Sequence, residues 1–218
     1  MTQPTWAMSV YLGAWVPISE YVLNESIDCK WGINGNTFFD RLAGTGTMKF
    51  KVRNANGYFT PGGASAISSL WRKGAPVELV ISFDGKNYHR FIGRISSMEI
   101  DTGIYSTRAV SVTVTDWMDF AAKYPLTLAN KEVDKTADQA LTTLIARLPI
   151  APAVTKYDAG DSIFPTVFDS VGSNTRAYSE ISKLVNSELG YCYLRKTPDD
   201  GETLVFESFS HRNGSKGL

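Results

Sequence analysis

Few residues of this sequence have side chains and spacings that could support catalysis or metal binding. The two histidines, His89 and His211, have no histidine, cysteine or carboxylate partner at metal-ligand spacing. Asp199 and Asp200 are adjacent carboxylates, but they precede Gly201 in a turn-forming segment that favours aspartate. No nucleophile elbow, phosphate loop or dinucleotide fingerprint is present. We therefore expect no catalytic, cofactor-binding or metal-binding residue, no cofactor, and a protein that is not an enzyme.

The sequence leaves two interpretations open for the state of the cysteines and two for the role of the tryptophans. Cys29 and Cys192 are far apart in sequence, which favours two reduced, partly buried thiols over a single long-range disulfide. The five tryptophans are explained by core packing and subunit contacts. The other interpretation is a carbohydrate-binding platform, for which Trp31 and Trp71 are the candidates.

The composition bounds the function classes. With 218 residues, 22 basic and 22 acidic side chains, the chain has a formal net charge of zero. This balance argues against nucleic-acid binding, which requires a basic face, and a neutral protein tolerates assembly. The apolar N-terminal segment lacks the basic start of a signal peptide, and Gly13 and Pro17 interrupt it, so it predicts no membrane insertion. We expect a soluble protein made inside the cell.

Alternating residues predict β-strands in the first half of the chain. Two rows of apolar residues at every second position define strands with one buried face: Met48, Phe50 and Val52, then Val77, Leu79, Ile81 and Phe83. Asp84-Gly85 is a two-residue hairpin signal. Gly93, inside the next strand, indicates a bulge or a barrel corner, and a further hairpin turns at residues 101–103. Short strands joined by tight turns predict a small antiparallel barrel or sandwich.

The second half predicts an α+β unit. A short helix follows Asp116, a possible N-cap, and Thr136 with Gln139 forms a capping box before a second helix that Pro149 stops. Its apolar face comprises Ala137, Ala140, Leu141, Leu144, Ile145 and Leu148. Residues 149–174 are predicted to be mostly loop. A third helix follows, with Gly190 at its C-terminal cap, and then a hairpin. Its inward residues are Ala177, Ile181, Leu184, Val185 and Leu189. The predicted fold is α+β and mainly β, with a β-barrel domain at residues 1–123 and an α+β domain of two amphipathic helices plus a hairpin at 124–218.

The segment "RNANGYFTPGG" is rich in turn residues and has no catalytic group. With the segments that follow, it resembles the N-terminal hub region of bacteriophage tail hub, or minor tail, proteins. There an Asn-x-x-Gly-x-Phe-x-Pro run is followed by a Gly-x-Pro segment and a Phe-x-Gly-Arg strand. The matching residues are Asn54, Gly57, Phe59, Thr60, Pro61, Leu70, Gly74, Pro76, Phe91, Gly93 and Arg94. The segment from Arg176 to Arg212 resembles a later part of the hub, and the resemblance covers most of residues 8–212.

The resemblance implies a small β-barrel of the tail-tube type and a structural protein of a phage tail tip or baseplate. Expected partners are further copies of the chain in a trimeric or hexamer-like ring, the tail tube or distal tail protein, and a tail spike, fibre or other baseplate protein. Tyr58 and Phe59 are expected to plug the barrel end or a neighbouring subunit. Family members usually continue into a second barrel beyond the point that corresponds to Leu218. We therefore expect either a shortened hub or a second polypeptide that supplies the rest. The expected location is the virion, after synthesis in the bacterial host cytoplasm.

Overall fold

The computed structural model describes residues 3–35, 37, 39–64, 66–101, 108–126, 130–172, 174–197 and 201–214. Contacts divide the chain into two compact units. Unit 1 comprises Met1–Lys30, Gly46–Trp117 and Lys196–Asp199, and unit 2 comprises Trp31–Thr45, Met118–Arg195 and Asp200–Leu218. The predicted domain boundary after residue 123 stays a prediction.

The protein is mainly β, as its alternating sequence predicted, with 43% of residues in strands and 19% in helices. The strands within the described residues are β1 (Thr5–Tyr11), β2 (Trp15–Pro17), β3 (Asp28–Gly32), β4 (Gly44–Arg53), β5 (Pro76–Phe83), β6 (Lys86–Asp101), β7 (Ala109–Thr115), β8 (Lys135–Thr136), β9 (Val154–Tyr157), β10 (Ile163–Phe164), β11 (Tyr191–Thr197) and β12 (Gly201–Glu207). The helices in the same ranges are α1 (Trp117–Lys123), α2 (Ala137–Ala146), α3 (Ala177–Ser187) and α4 (Phe209–Gly214). Short 3-10 turns lie at Ser19–Tyr21 and Asn24–Ser26.

Strand β4 confirms the predicted alternation, because Met48, Phe50 and Val52 are buried and the basic residues between them are exposed. Strand β5 follows its predicted pattern only in part. Val77 and Leu79 are buried, whereas Phe83 is exposed. The pairing of β5 with β6 shifts register after Leu79, and residues 83–88 beyond this shift are all exposed. The β5–β6 hairpin therefore extends beyond the core that its inner half covers.

The Asp84-Gly85 turn and Gly93 have the geometry that the sequence predicted. Asp84 and Gly85 join β5 to β6 with φ angles of 50° and 72°, the left-handed pair that a two-residue hairpin turn requires. Gly93 lies where a Cβ atom would be 2.4 Å from the carbonyl oxygen of Thr115 on β7. Gly93 thus marks a close backbone approach between neighbouring strands. The turn predicted at residues 101–103 extends outside the described residues.

The large sheet is open, which corrects the expectation of a closed barrel. Its strand order is β2-β1-β5-β6-β7-β4-β3, and within the described residues the two end strands do not pair with each other. Closure requires edge strands that pair along their length, but β2 has three residues and ends in Pro17, which has no N–H to donate. Next to β2, the Ser19 hydroxyl accepts the Met8 N–H at 2.9 Å. This contact satisfies the Met8 N–H, one backbone group of the β1 edge, within the chain.

Unit 2 contains the predicted helices and the hairpin. The capping box is present, with Thr136 and Gln139 each bonded to the backbone of the other. The predicted apolar face of α2 is buried, including Leu148 just beyond its end. Strands β11 and β12 pair as predicted. The elements that were not predicted include β9 and β10, which both lie in the expected loop, and the short helix α4. Strand β9 pairs in parallel with β12.

The end of α3 differs from the prediction at two neighbouring residues. Leu189 was expected to face inward, but 37% of it is exposed and it has a φ of 56°. The N–H groups of Leu189 and Gly190 donate to Asn186 and Val185, which is the Schellman pattern with leucine at the left-handed position. Gly190 is one residue beyond that position. A Cβ atom on Gly190 would lie 2.7 Å from the carbonyl oxygen of Glu207, which explains why glycine occurs there.

Opposite substitutions at these two residues test this description. Leu189→Gly should raise the free energy of unfolding by about 1 kcal/mol, because glycine adopts a positive φ without steric cost. Gly190→Ala should lower it by about 1–3 kcal/mol, because the added methyl group overlaps the β12 backbone. Urea unfolding of both variants measures the two changes. A Leu189→Gly variant less stable than the wild type would contradict the strain assigned to Leu189.

Candidate assembly surface

The turn-rich corner after β4 is organised around one buried side chain, that of Asn54. Its Oδ1 accepts the N–H of Phe59 at 2.8 Å, and its Nδ2 donates to the Thr60 hydroxyl at 3.0 Å. The amide therefore supplies a partner for a buried backbone group that no strand can reach. Gly57 has a φ of 72°, and its N–H donates to the Asn54 carbonyl at 3.2 Å, which closes the first turn.

Phe59 and Trp71 form the apolar centre of the corner, and both are buried. Their rings meet edge to face with centroids 5.2 Å apart, and the indole Nε1–H donates to the Phe59 carbonyl at 2.8 Å. The Tyr21 ring also meets the Phe59 ring edge to face, with centroids 5.1 Å apart. Phe59 thus belongs to the core of its own unit. Of its two expected roles, contact with a neighbouring subunit is therefore wrong, and the described residues form no closed barrel whose end it could plug. Tyr58 is partly exposed and accessible to a partner.

The burial of Trp71 also removes it as a carbohydrate platform, because a sugar ring needs an accessible indole face. Trp31 is half-buried. Trp15, on the edge strand β2, is the more exposed tryptophan, at 46%, and it packs against Tyr11 with ring centroids 5.5 Å apart. This exposure could not be predicted from the sequence, because a tryptophan in a short apolar segment is equally compatible with the core.

Strand pairing places Trp15 in a continuous row with other side chains of unit 1. Trp15 pairs with Tyr11 on β1, and Pro76 pairs with Arg94 on β6. Val10 pairs with Val77 on β5, so Tyr11 continues this row beside Pro76. Since directly paired residues share a face, the four side chains lie on one side of the sheet. We call Trp15, Tyr11, Pro76 and Arg94 the transverse row.

The residues with acid–base chemistry make contacts inside the chain. The Nδ1 atom of His89 lies 3.4 Å from Glu78 on the neighbouring strand. Among the described residues, no group of three or more histidines, cysteines or carboxylates could hold a metal ion. Asp199 and Asp200 lie outside the described residues. Cys29 and Cys192 are free thiols, and burial raises the pKa of Cys192 to about 12, so its thiolate is disfavoured.

One serine, histidine and aspartate cluster was not apparent in the sequence. His211 Nδ1 lies 3.2 Å from Asp158, and the Ser208 hydroxyl accepts the His211 backbone N–H at 3.3 Å. Asp161 accepts both the N–H and the hydroxyl of Ser210, at 2.8 and 2.5 Å. These contacts fix the first turn of α4 to the loop after β9. Their geometry is that of helix capping, in which side-chain oxygens satisfy N–H groups at a helix start.

No protein-family model matches the sequence, and no curated protein matches it. Solved structures do match its fold. The tail protein from Neisseria meningitidis MC58 aligns with a TM-score of 0.59 and 16% identity over 94% of this chain and 51% of its own. The prophage MuSo2 43 kDa tail protein from Shewanella oneidensis aligns with a TM-score of 0.59 and 11% identity over 94% and 54%. A structure of a PdpA–VgrG complex aligns with a TM-score of 0.54 and 10% identity over 94% and 35%.

These alignments confirm, at the level of the fold, the resemblance to bacteriophage tail proteins that the sequence indicated. The chain spans about half the length of the two tail proteins. None of the helices in the described ranges is long and apolar enough to cross a membrane.

Removing the Asn54 amide tests whether it organises the corner. Asn54→Ala should lower the free energy of unfolding by about 1–3 kcal/mol, because the buried Phe59 N–H loses its acceptor. Thr60→Ala is the matched control and should lower the free energy of unfolding by less. Thr60 is half-buried, and its hydroxyl accepts only the hydrogen bond from Asn54 Nδ2. Denaturant titration of both variants measures the difference. Equal losses would show that the Phe59 N–H bond contributes little.

The Asp161 contacts predict a pH-dependent stability of unit 2. Hydrogen bonds from the Ser210 hydroxyl and N–H hold the pKa of Asp161 below its usual value. A lowered folded-state pKa stabilises the protein above the unfolded-state pKa, and this contribution is lost as the pH falls through the folded-state pKa. The wild type should therefore have a higher free energy of unfolding than Asp161→Asn near neutral pH, and this difference should decrease as the pH falls from about 5 to about 2. A gap that stays constant in urea titrations over this range would contradict the assignment.

Proposed function

We propose that this chain, which has the fold of bacteriophage tail proteins, is a structural component of a phage tail tip or baseplate. Copies of the chain form a hub ring there, and this ring connects the distal tail tube to the spike or receptor-binding apparatus. Similarity to two tail proteins over 94% of the chain supports the class of protein. The ring itself is supported by the accessible surface of unit 1.

The observation that carries this proposal is that unit 1 leaves large apolar side chains exposed on an open sheet. They lie at the β1–β2 edge, on the β5–β6 hairpin and near the end of β6: Tyr11, Trp15, Phe83, Tyr88 and Ile100. Grouped exposed apolar residues and open sheet edges are typical of protein contact surfaces. The two histidines, in contrast, lie beside carboxylates of the same chain, His89 beside Glu78 and His211 beside Asp158. This division of residues favours assembly over a reaction, and we propose that the chain is not an enzyme.

The proposed partners follow from the same surface. They are further copies of this chain in a trimeric or hexamer-like ring, the tail tube or distal tail protein, and a spike, fibre or other baseplate protein. The fold similarity to a chain of a PdpA–VgrG complex supports a partner of the spike or baseplate class. A net charge of zero gives no support for specific nucleic-acid binding. The proposed location is the virion tail, after synthesis in the host cytoplasm.

The alternative function is a carbohydrate-binding module of a tail or surface protein. The exposed Trp15 beside Tyr11 is the observation in its favour, since paired aromatic side chains offer a stacking surface to sugars. The two functions make opposite predictions about association.

Sedimentation velocity of the purified chain over a wide concentration range should reveal a reversible trimer or hexamer, because apolar surface is buried on association. Titration with bacterial cell-wall glycans should leave the tryptophan fluorescence unchanged. Trp15→Ser, which reduces the exposed apolar surface, should weaken association. Hydrolysis of cell wall by the chain, or a chain that stays monomeric and binds glycans, would contradict the proposal.

A further inference from the structure

A shallow groove of about 590 Å³ lies in unit 1, between the turn that joins β1 to β2 and the segment that enters β5. Tyr11 and Gly13 line it from the turn, and residues of the 70–76 segment line it from the other side of the sequence. Leu70 connects the two parts, because its Cδ1 lies 3.9 Å from the position that a Cβ atom on Gly13 would occupy. We call this feature the edge groove. Ligand sites commonly have volumes of about 300–1,000 Å³, so the groove can hold a short segment of another molecule.

Part of the edge groove is apolar and accessible. Tyr11 is 43% exposed and Leu70 is 39% exposed, and Pro76 lies beside them in the lining. Gly74 has a φ of 88°, a conformation that favours glycine, and a Cβ atom on it would meet no atom within 4 Å. A partner can therefore approach the backbone at Gly74 closely while it covers the two exposed side chains.

The rest of the edge groove is basic. Arg72 and Lys73 line it, and both are exposed. Arg94, which belongs to the transverse row, donates from its guanidinium to the Gly74 carbonyl at 3.0 Å and adds a third cation beside the groove. The lining includes no carboxylate. Within the described part of the chain, no carboxylate lies at ion-pair distance from Arg72 or Lys73.

This combination restricts the chemistry of the partner. A small anion would leave Tyr11 and Leu70 exposed, and a purely apolar partner would leave the cations without counter-charges. Both parts are satisfied by a segment that carries carboxylates and large apolar side chains. The segment must be free to turn both kinds of side chain towards the groove, because consecutive residues of a paired strand point to opposite faces. The Glu99–Ile100 pair of this chain is held in that alternation by β7, so a second copy does not supply such a segment there.

We propose that the edge groove binds a flexible acidic segment of a different protein. Carboxylates of the segment contact Arg72 and Lys73, and one of its apolar side chains packs against Leu70 and Tyr11. This inference rests on the proposed function and specifies the chemistry of one partner in the tail. Ion pairs at an exposed rim guide encounter and set orientation, whereas the buried apolar surface supplies most of the affinity.

A synthetic peptide with the sequence Asp-Leu-Asp-Phe-Asp tests this site. Fluorescence anisotropy of the labelled peptide should show saturable binding to the full chain, with one peptide per chain. Binding should weaken as the sodium chloride concentration rises, because salt screens exposed ion pairs. The same peptide with asparagine in place of every aspartate should bind about tenfold more weakly or not at all, since it lacks the charges that face the rim.

Two variants of the chain remove the two parts of the groove. Arg72→Glu/Lys73→Glu should weaken peptide binding about tenfold or more, because like charges then face each other. Leu70→Ser should weaken it about five- to tenfold, because less apolar surface is buried. Circular dichroism spectra that match the wild type should establish that both variants are folded.

Each variant has a matched control outside the groove lining. Lys49→Glu/Lys51→Glu makes the same change of charge at two exposed lysines on β4, and Phe83→Ser removes a large side chain that is 49% exposed. Both controls should bind the peptide like the wild type. A labelled oligothymidine should show no binding that depends on Arg72 and Lys73.

The inference is wrong if the wild type does not bind the peptide, or if the groove variants bind it as tightly as the wild type. It is also wrong if Lys49→Glu/Lys51→Glu weakens binding as much as Arg72→Glu/Lys73→Glu, because the attraction then comes from the charge of the whole surface. Oligothymidine binding that Arg72→Glu/Lys73→Glu abolishes would identify a nucleic-acid site and would overturn the inference as well.

Sedimentation velocity of the same variants separates this site from the ring on which it rests. Arg72→Glu/Lys73→Glu and Leu70→Ser should self-associate like the wild type. If the double variant loses self-association, the groove binds another copy of the chain, and the inference is wrong while the proposed function stands. A wild type that is monomeric at every concentration and still binds the peptide through the groove contradicts the ring and retains the peptide site.

Discussion

The open seven-stranded sheet is the constraint on which the rest of the structure depends. A sheet that does not close leaves edges with unpaired backbone groups and apolar side chains beyond its own core. This chain satisfies part of the β1 edge internally, through Ser19 and Met8, and leaves Trp15 and Tyr11 exposed beside it. Burying these side chains requires another molecule. The proposed role in assembly follows from this incomplete burial.

The corner at residues 54–63 has an internal function in this arrangement. Asn54 replaces missing backbone partners, and Phe59 with Trp71 fills the space beneath the turns. The elaborate turn chemistry therefore fixes where the chain leaves β4 and approaches β5. Its contribution to assembly is indirect, since its central phenylalanine is buried within unit 1.

Local patterns predicted much of the fold. The alternation in β4, the Asp84-Gly85 turn and the Thr136 capping box each involve residues close in sequence, where geometry follows from residue type. The failures involve non-local contacts. The parallel pairing of β9 with β12 joins segments about 50 residues apart in sequence, and the glycine at position 190 reflects the distant Glu207 backbone rather than its own helix end. Sheet closure depends on strand ends far apart in sequence, so short strands alone could not decide it.

The candidate surface was less predictable than the fold. Nothing in the sequence distinguishes the buried Trp71 from the exposed Trp15, because both lie in mixed apolar segments. Electron microscopy of virions labelled with gold-conjugated antibodies against this chain tests its proposed role most directly. We expect the label at the end of the tail, where the tube meets the spike. Label on the head, along the whole tube, or absent from virions would contradict that role.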